Sequence, residues 1–128
     1  MATAEAGGIT GIGQIALRAT DLPLTAAFYR DMLGLPAVME IPNAVFFDCG
    51  GVRIMLSVPE SAEFEHPASI VYYRVADLQG SYRSLRDRGV RFRTEPHLIA
   101  RLPDHELWMA FLEDPSGNVL ALMSEVKE

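Results

Sequence analysis

Cysteine is almost missing from this chain of 128 residues: Cys49 stands alone. One thiol excludes an internal disulfide and any cysteine-built metal centre. It agrees with a reducing compartment, so the expected location is the cytoplasm. Long apolar runs are lacking as well, and nothing approaches the roughly 20 residues of a membrane span. Residues 1–12 have neither the basic start nor the apolar core of a secretory signal. Basic clusters are thin. The scattered arginines of 83–93 are the densest stretch in a chain of net charge −6, with a pI of about 5.0. Neither nucleic acid nor a membrane is an expected partner. No Ser-His-Asp order, phosphate loop or nucleotide fingerprint occurs.

What is present is a repeat. Ile15-Ala16-Leu17-Arg18-Ala19-Thr20-Asp21-Leu22 has the same pattern as Val71-Tyr72-Tyr73-Arg74-Val75-Ala76-Asp77-Leu78, and each copy runs into a helical pattern. A second echo closes each half, Gly51-Val52-Arg53-Ile54-Met55-Leu56 and Gly117-Asn118-Val119-Leu120-Ala121-Leu122. Apolar content of 49% is that of a globular chain. At this length one domain is expected, able to bury roughly two-thirds of its unfolded surface.

The repeat resolves into strand–helix–strands twice. Residues 1–8 read as a frayed tail. A strand is expected over Ile12–Ala19. Asp21 then caps a helix that tolerates Pro23 in its first turn and ends at Gly34. Val38–Ile41, Val45–Asp48 and Val52–Val58 follow as strands, with turns at Pro42-Asn43 and Gly50-Gly51. Pro59–Pro67 is a linker. In the second half a strand over Ile70–Val75 precedes a helix capped by Asp77, with Leu78, Tyr82 and Leu85 inward and Gly89 at its end. Strands are then expected over Val90–Phe92 (extending toward Arg101), Leu107–Leu112 and Val119–Met123, with a turn at Asp114-Pro115-Ser116-Gly117. The expectation is one α+β domain over 1–128: module one at about 9–58, linker 59–67, module two at about 68–124. The two βαβββ modules form a cupped mixed sheet with helices on the outer face.

Period two sorts the strands. The helices must cover the more apolar faces. The cup face then carries Gln14, Ala16, Arg18, Arg53, Met55 and Ser57 in the first module. In the second it carries Ile70, Tyr72, Arg74, Val119, Ala121 and Met123. Arg18, Arg53 and Arg74 either grip an anionic ligand through their planar forks, or reach solvent and pair with Asp21, Asp48 and Asp77. Tyr72 is either a ligand contact or core. Met39, Met55, Met109, Met123 and Trp108 supply an apolar, adaptable lining if they face the cup. His66 lies in the linker. His97 and His105 flank Leu102-Pro103-Asp104, in a segment whose Trp108 is expected at the mouth of the cup. They are either loop residues or ligand contacts. Cys49 has no neighbouring base and reads as inert.

Three stretches carry a resemblance: Gln14-Ile15-Ala16-Leu17-Arg18 with Asp21-Leu22, then Phe28-Tyr29-Arg30-Asp31-Met32-Leu33-Gly34-Leu35, then Phe111-Leu112-Glu113-Asp114-Pro115-Ser116-Gly117-Asn118. Over about residues 9–124 the chain resembles the vicinal oxygen chelate superfamily, which includes glyoxalase I, extradiol dioxygenases and bleomycin-resistance proteins. In metal-dependent members up to four His, Gln or Glu side chains hold an ion in the cup. The resemblance places these positions at Gln14, Met55, Ile70 and Ala121. Met is a soft ligand and Ile and Ala are none, so as a set they do not hold a hard divalent ion. The expectation is therefore a glyoxalase/bleomycin-resistance-like protein that binds a small organic ligand without metal or other cofactor. Its expected ligand contacts are Gln14, Arg18, Arg53, Met55, Tyr72, Arg74, Trp108, Ala121 and Met123. The alternative is a lyase or isomerase of the glyoxalase type on a 2-oxo or thioester substrate, with acid–base work on Tyr72, His97, His105 or Glu106. Open sheet edges and a mean hydropathy of +0.13 point to a homodimer, the usual state of superfamily members of this length.

Overall fold

The computed structural model describes residues 7–8, 11–59 and 69–127. The expected tail, most of the linker and His66 lie outside the described residues. In chain order the elements are β1 (Gln14–Arg18), α1 (Leu22–Ala27), β2 (Ala37–Ile41), β3 (Ala44–Cys49), β4 (Val52–Ser57), β5 (Val71–Arg74), α2 (Leu78–Asp87), β6 (His97–Arg101), β7 (Glu106–Glu113) and β8 (Val119–Val126). They build two four-stranded sheets, ordered β1-β4-β3-β2 and β5-β8-β7-β6. In each sheet the first strand runs parallel to the last and the hairpins are antiparallel. This is the two-module α+β architecture. No helix among the described residues is long and apolar enough to cross a membrane.

Local chemistry sets the boundaries. The Asp21 carboxylate accepts the Leu24 N–H at 3.1 Å and the Asp77 carboxylate accepts that of Gly80 at 3.1 Å, so each helix starts on a side-chain cap. α1 then widens into a π-helical turn over Phe28–Met32, where the Leu33 N–H reaches back to the Phe28 carbonyl at 3.0 Å. Gly50 and Gly51, with φ of +60° and +93°, form a two-residue hairpin of the primed type that only glycine enters without strain.

The expected strand from Val90 toward Arg101 is broken. Phe92 makes one isolated bridge to Leu112. The Arg93 and Thr94 amides share the Phe111 carbonyl, Pro96 offers no N–H to a ladder, and pairing resumes only at His97. β8 runs three residues past the expected Met123, to Val126.

The modules share one core on the helix side. Leu17, Tyr29, Phe47 and Leu56 of the first module join Leu78, Leu112, Leu120 and Leu122 of the second. A buried polar network locks this joint. Asp114, in the turn before β8, accepts from the Tyr29 hydroxyl at 2.8 Å, the Ser116 and Asn118 amides at 2.9 Å each and the Asn118 side chain at 2.8 Å. Thr25 and Ser116 hydroxyls meet at 2.7 Å, and Asn118 also donates to the Arg18 carbonyl at 2.9 Å. Burial, then the neighbouring Asp114 charge, pushes the Tyr29 phenol far above its ordinary value.

Candidate ligand-binding site

Register defines the faces turned away from the helices. On the first sheet Gln14 pairs with Arg53 and Ala16 with Met55, while Met55 and Met39 both pair with Phe46. The Gln14 amide donates to the Met55 sulfur at 3.7 Å, and the Arg53 guanidinium lies over the Phe46 ring, 5.9 Å from its centroid. Arg18, half-buried, ends the strand. On the second sheet Tyr72, Ala121 and Phe111 form one row, and Arg74, Met123, Met109 and His97 the next.

The first of these rows is the most informative. Tyr72 and Phe111 sit on the strands either side of β8, two interstrand spacings apart, or roughly 9–10 Å. Their ring centroids are nevertheless 6.1 Å apart, edge to face at 80°. The rings therefore lean together across Ala121, whose side chain is fully buried. His97, in the next row, stacks on Phe111 at 6.4 Å and 30°. Its Nδ1 lies 2.9 Å from the Glu95 carbonyl. A carbonyl only accepts, so Nδ1 is the donor in this contact.

Some expected positions are corrected. Trp108 does not face the cup. It pairs with Leu98 and Ser124 on the helix side and donates through Nε1 to Glu106 at 3.1 Å. The reason is phase: Met109 pairs with Met123 and fixes the odd positions of β7 on the cup face. Glu106 goes with Trp108 to the helix side, where it also accepts from Arg101 at 3.1 Å. His105 sits in the β6–β7 turn with Nδ1 on the Asp104 carboxylate at 2.7 Å, apart from the Tyr72, Phe111 and His97 rings. Phe46 and Phe111 are cup residues that sequence reasoning missed, although alternation along β3 and β7 was the available signal.

The four metal positions do not fit an ion. Of the four only Gln14, through Oε1, is a ligand for a hard ion; Met55 offers a soft thioether, Ile70 precedes β5 as an exposed hydrocarbon, and Ala121 lies under two rings. Among the described residues no three His, Cys, Asp or Glu converge.

A family model described as the Glyoxalase/Bleomycin resistance protein/Dioxygenase superfamily matches residues 11–122. The chain belongs to this superfamily. YraH of Bacillus subtilis (strain 168) is 28% identical over 127 residues, covering 85% of this chain and 94% of YraH. A lactoylglutathione lyase from Agrobacterium tumefaciens has the same fold, with TM-score 0.69 and 24% identity over 91% of this chain and 94% of that one. A superfamily member from Sphaerobacter thermophilus DSM 20745 gives TM-score 0.76 at 22% identity, covering 91% and 98%.

Proposed function

We propose that this superfamily member binds a small, flat, partly apolar organic molecule on the cup face and does so without a divalent metal. The observation that carries the reading is the Tyr72–Phe111 pair closed over Ala121. With His97 it makes a platform of three rings on three different strands, suited to stacking with an unsaturated group. Met109 and Met123 adapt around it. The Arg53 guanidinium, on the first sheet, supports an anionic substituent on the ligand. The single cysteine fits a cytoplasmic location.

Two measurements test this. Elemental analysis of protein purified without a metal-affinity column is expected to find no stoichiometric Zn, Ni, Mn or Fe; about one ion per chain refutes the metal-free reading. The co-purified ligand, identified by native mass spectrometry, is expected to bind roughly fivefold more weakly to Tyr72→Phe, as for one lost hydrogen bond of about 1 kcal/mol. The melting temperature should hold, because the Tyr72 side chain is 46% exposed. A Tyr72→Phe protein with unchanged affinity and a much lower melting temperature assigns Tyr72 to structure.

A second reading, a lyase or isomerase on a 2-oxo or thioester substrate, is favoured by one observation: His97 lies on the same face with Nδ1 engaged by the Glu95 carbonyl, which leaves Nε2 as the ring nitrogen for proton transfer. Turnover of such a substrate that disappears in His97→Gln would establish it.

The chain is proposed to work as a homodimer. β2 is an edge strand whose Val38, Met39 and Ile41 are all exposed, and unpaired apolar edges invite a partner. Sedimentation at micromolar concentration is expected to show a species near twice the 14.1 kDa chain mass; only monomer would refute it.

A further inference from the structure

The joint between the modules has two pseudo-equivalent ends, and only one is sealed. Superposing the caps Asp21 and Asp77 makes Thr25 equivalent to Ser81 and Tyr29 to Leu85. Superposing the last hairpins makes Asp114, Ser116 and Asn118 equivalent to Asp48, Gly50 and Val52. At the first end the polar network fills the joint. At the second, Leu85, Gly50 and Val52 can make none of those side-chain hydrogen bonds, and Asp48 is exposed. There the modules leave a cavity of about 920 Å³, within the range of small-molecule sites.

The cavity is chemically two-sided. Ile15, Ile54, Leu33, Val71 and Leu122 make an apolar interior. Arg74 and Arg88 line it as well. Arg88 gives one nitrogen to the Asp31 carbonyl at 3.1 Å and stays exposed, and Arg74 is exposed too. The one carboxylate in the lining, Asp77, is committed to the α2 cap. Tyr73 also lines the cavity, and its hydroxyl oxygen is buried with no hydrogen-bond partner among the described residues. A stranded buried hydroxyl is a cost that native structures normally avoid. The oxygen is closed off from the cleft, so it is the Tyr73 ring that lines the cavity.

We infer that this inter-module cleft is a second ligand site, separate from the metal positions of the cup, for a small amphipathic acid. The apolar body lies between the modules against the Tyr73 ring, and a single carboxylate or sulfonate meets Arg74 and Arg88. Tyr72 and Met123 border both this cleft and the cup face, so the two sites adjoin at β5. The inference does not rest on the cup-face reading.

The probe is 1-anilinonaphthalene-8-sulfonate, added to the full-length folded protein. Saturable, blue-shifted fluorescence at one probe per chain is expected, displaced by decanoate at least about tenfold better than by decan-1-ol, since the alcohol lacks the charge. Ser84→Trp places a ring in the cleft from the exposed face of α2 and is expected to weaken the probe by more than about tenfold at unchanged melting temperature. Tyr73→Phe is expected to raise the melting temperature of the ligand-free protein by about 3 °C, because it removes the stranded hydroxyl. Cys49 also lines the cleft, and burial with the neighbouring Asp48 raises its thiol pKa. Its alkylation by a maleimide should be slow and become slower when the probe is bound. The proposal is overturned if Ser84→Trp leaves probe affinity intact, or if saturation leaves Cys49 labelling unchanged. It is also overturned if Arg53→Gln abolishes the probe signal that Ser84→Trp retains, an outcome that leaves the cup-face reading standing.

Discussion

Asp114→Ala is expected to lower the melting temperature by roughly 9–25 °C. Asp114 is 5% exposed and accepts four hydrogen bonds. Two come from the backbone of its own turn and hold the start of β8. One crosses to Tyr29, whose side chain is fully buried. Removing the carboxylate strands these donors, and breaking one side of a buried, charge-assisted network costs about 3–5 kcal/mol. For a chain of this size each kcal/mol shifts melting by roughly 3–5 °C. Tyr29→Phe is the internal comparison. It removes one donor and leaves Asp114 three partners, so the loss should be about 1–2 kcal/mol. The ordering decides the interpretation. An Asp114→Ala protein that melts within about 3 °C of the native one shows that the joint does not depend on the network. Equal losses for the two variants mean that the cross-module bond to Tyr29 carries the whole effect and the turn bonds carry none.

This joint is the part of the fold that the sequence conceals. Strand–helix order, the caps at Asp21 and Asp77 and the Gly50-Gly51 hairpin are local properties, written in consecutive residues. The assignment of Gln14, Arg18, Arg53 and Met55 to one face, and of Tyr72, Arg74, Ala121 and Met123 to its counterpart, is local too, because period two needs only one reference residue per strand. Tyr29 and Asp114 lie far apart in sequence, and nothing in either neighbourhood announces the other. The same holds for the ring pair over Ala121. It depends on β5 and β7 flanking β8 in a particular register, which no single strand encodes. Trp108 shows a different failure. Treating its segment as a block puts it near the cup, whereas counting alternate residues along β7 from Met109 sends it to the helix side. The break at Pro96 has a local signal of its own, the missing N–H, that the expectation of a continuous strand overrides.

Ala121→Glu is expected to be the most damaging single change on the cup face, and metal is expected not to rescue it. A carboxylate at this position restores the residue type of metal-dependent relatives. In this chain, however, it enters a fully buried position under two rings that touch each other. The extra atoms must push Tyr72 and Phe111 apart, an overpacking cost of about 1–3 kcal/mol. The charge is then buried without a partner, because Met55 and Ile70 donate nothing to it; that typically costs about 3–5 kcal/mol. The melting temperature should fall by more than about 12 °C. Zn or Mn should restore little, since Gln14 and the introduced carboxylate alone leave a hard ion two donors short of a site. The combined variant Gln14→His, Met55→Glu, Ile70→His, Ala121→Glu supplies four donors. A metal at about 100 times its dissociation constant then returns about 2.7 kcal/mol, so its melting temperature should rise by roughly 8–13 °C on adding the ion. Native protein under the same titration should not move. If Ala121→Glu alone melts like the native chain and takes up one ion, the two rings do not close the metal position. The metal-free reading of the cup then fails.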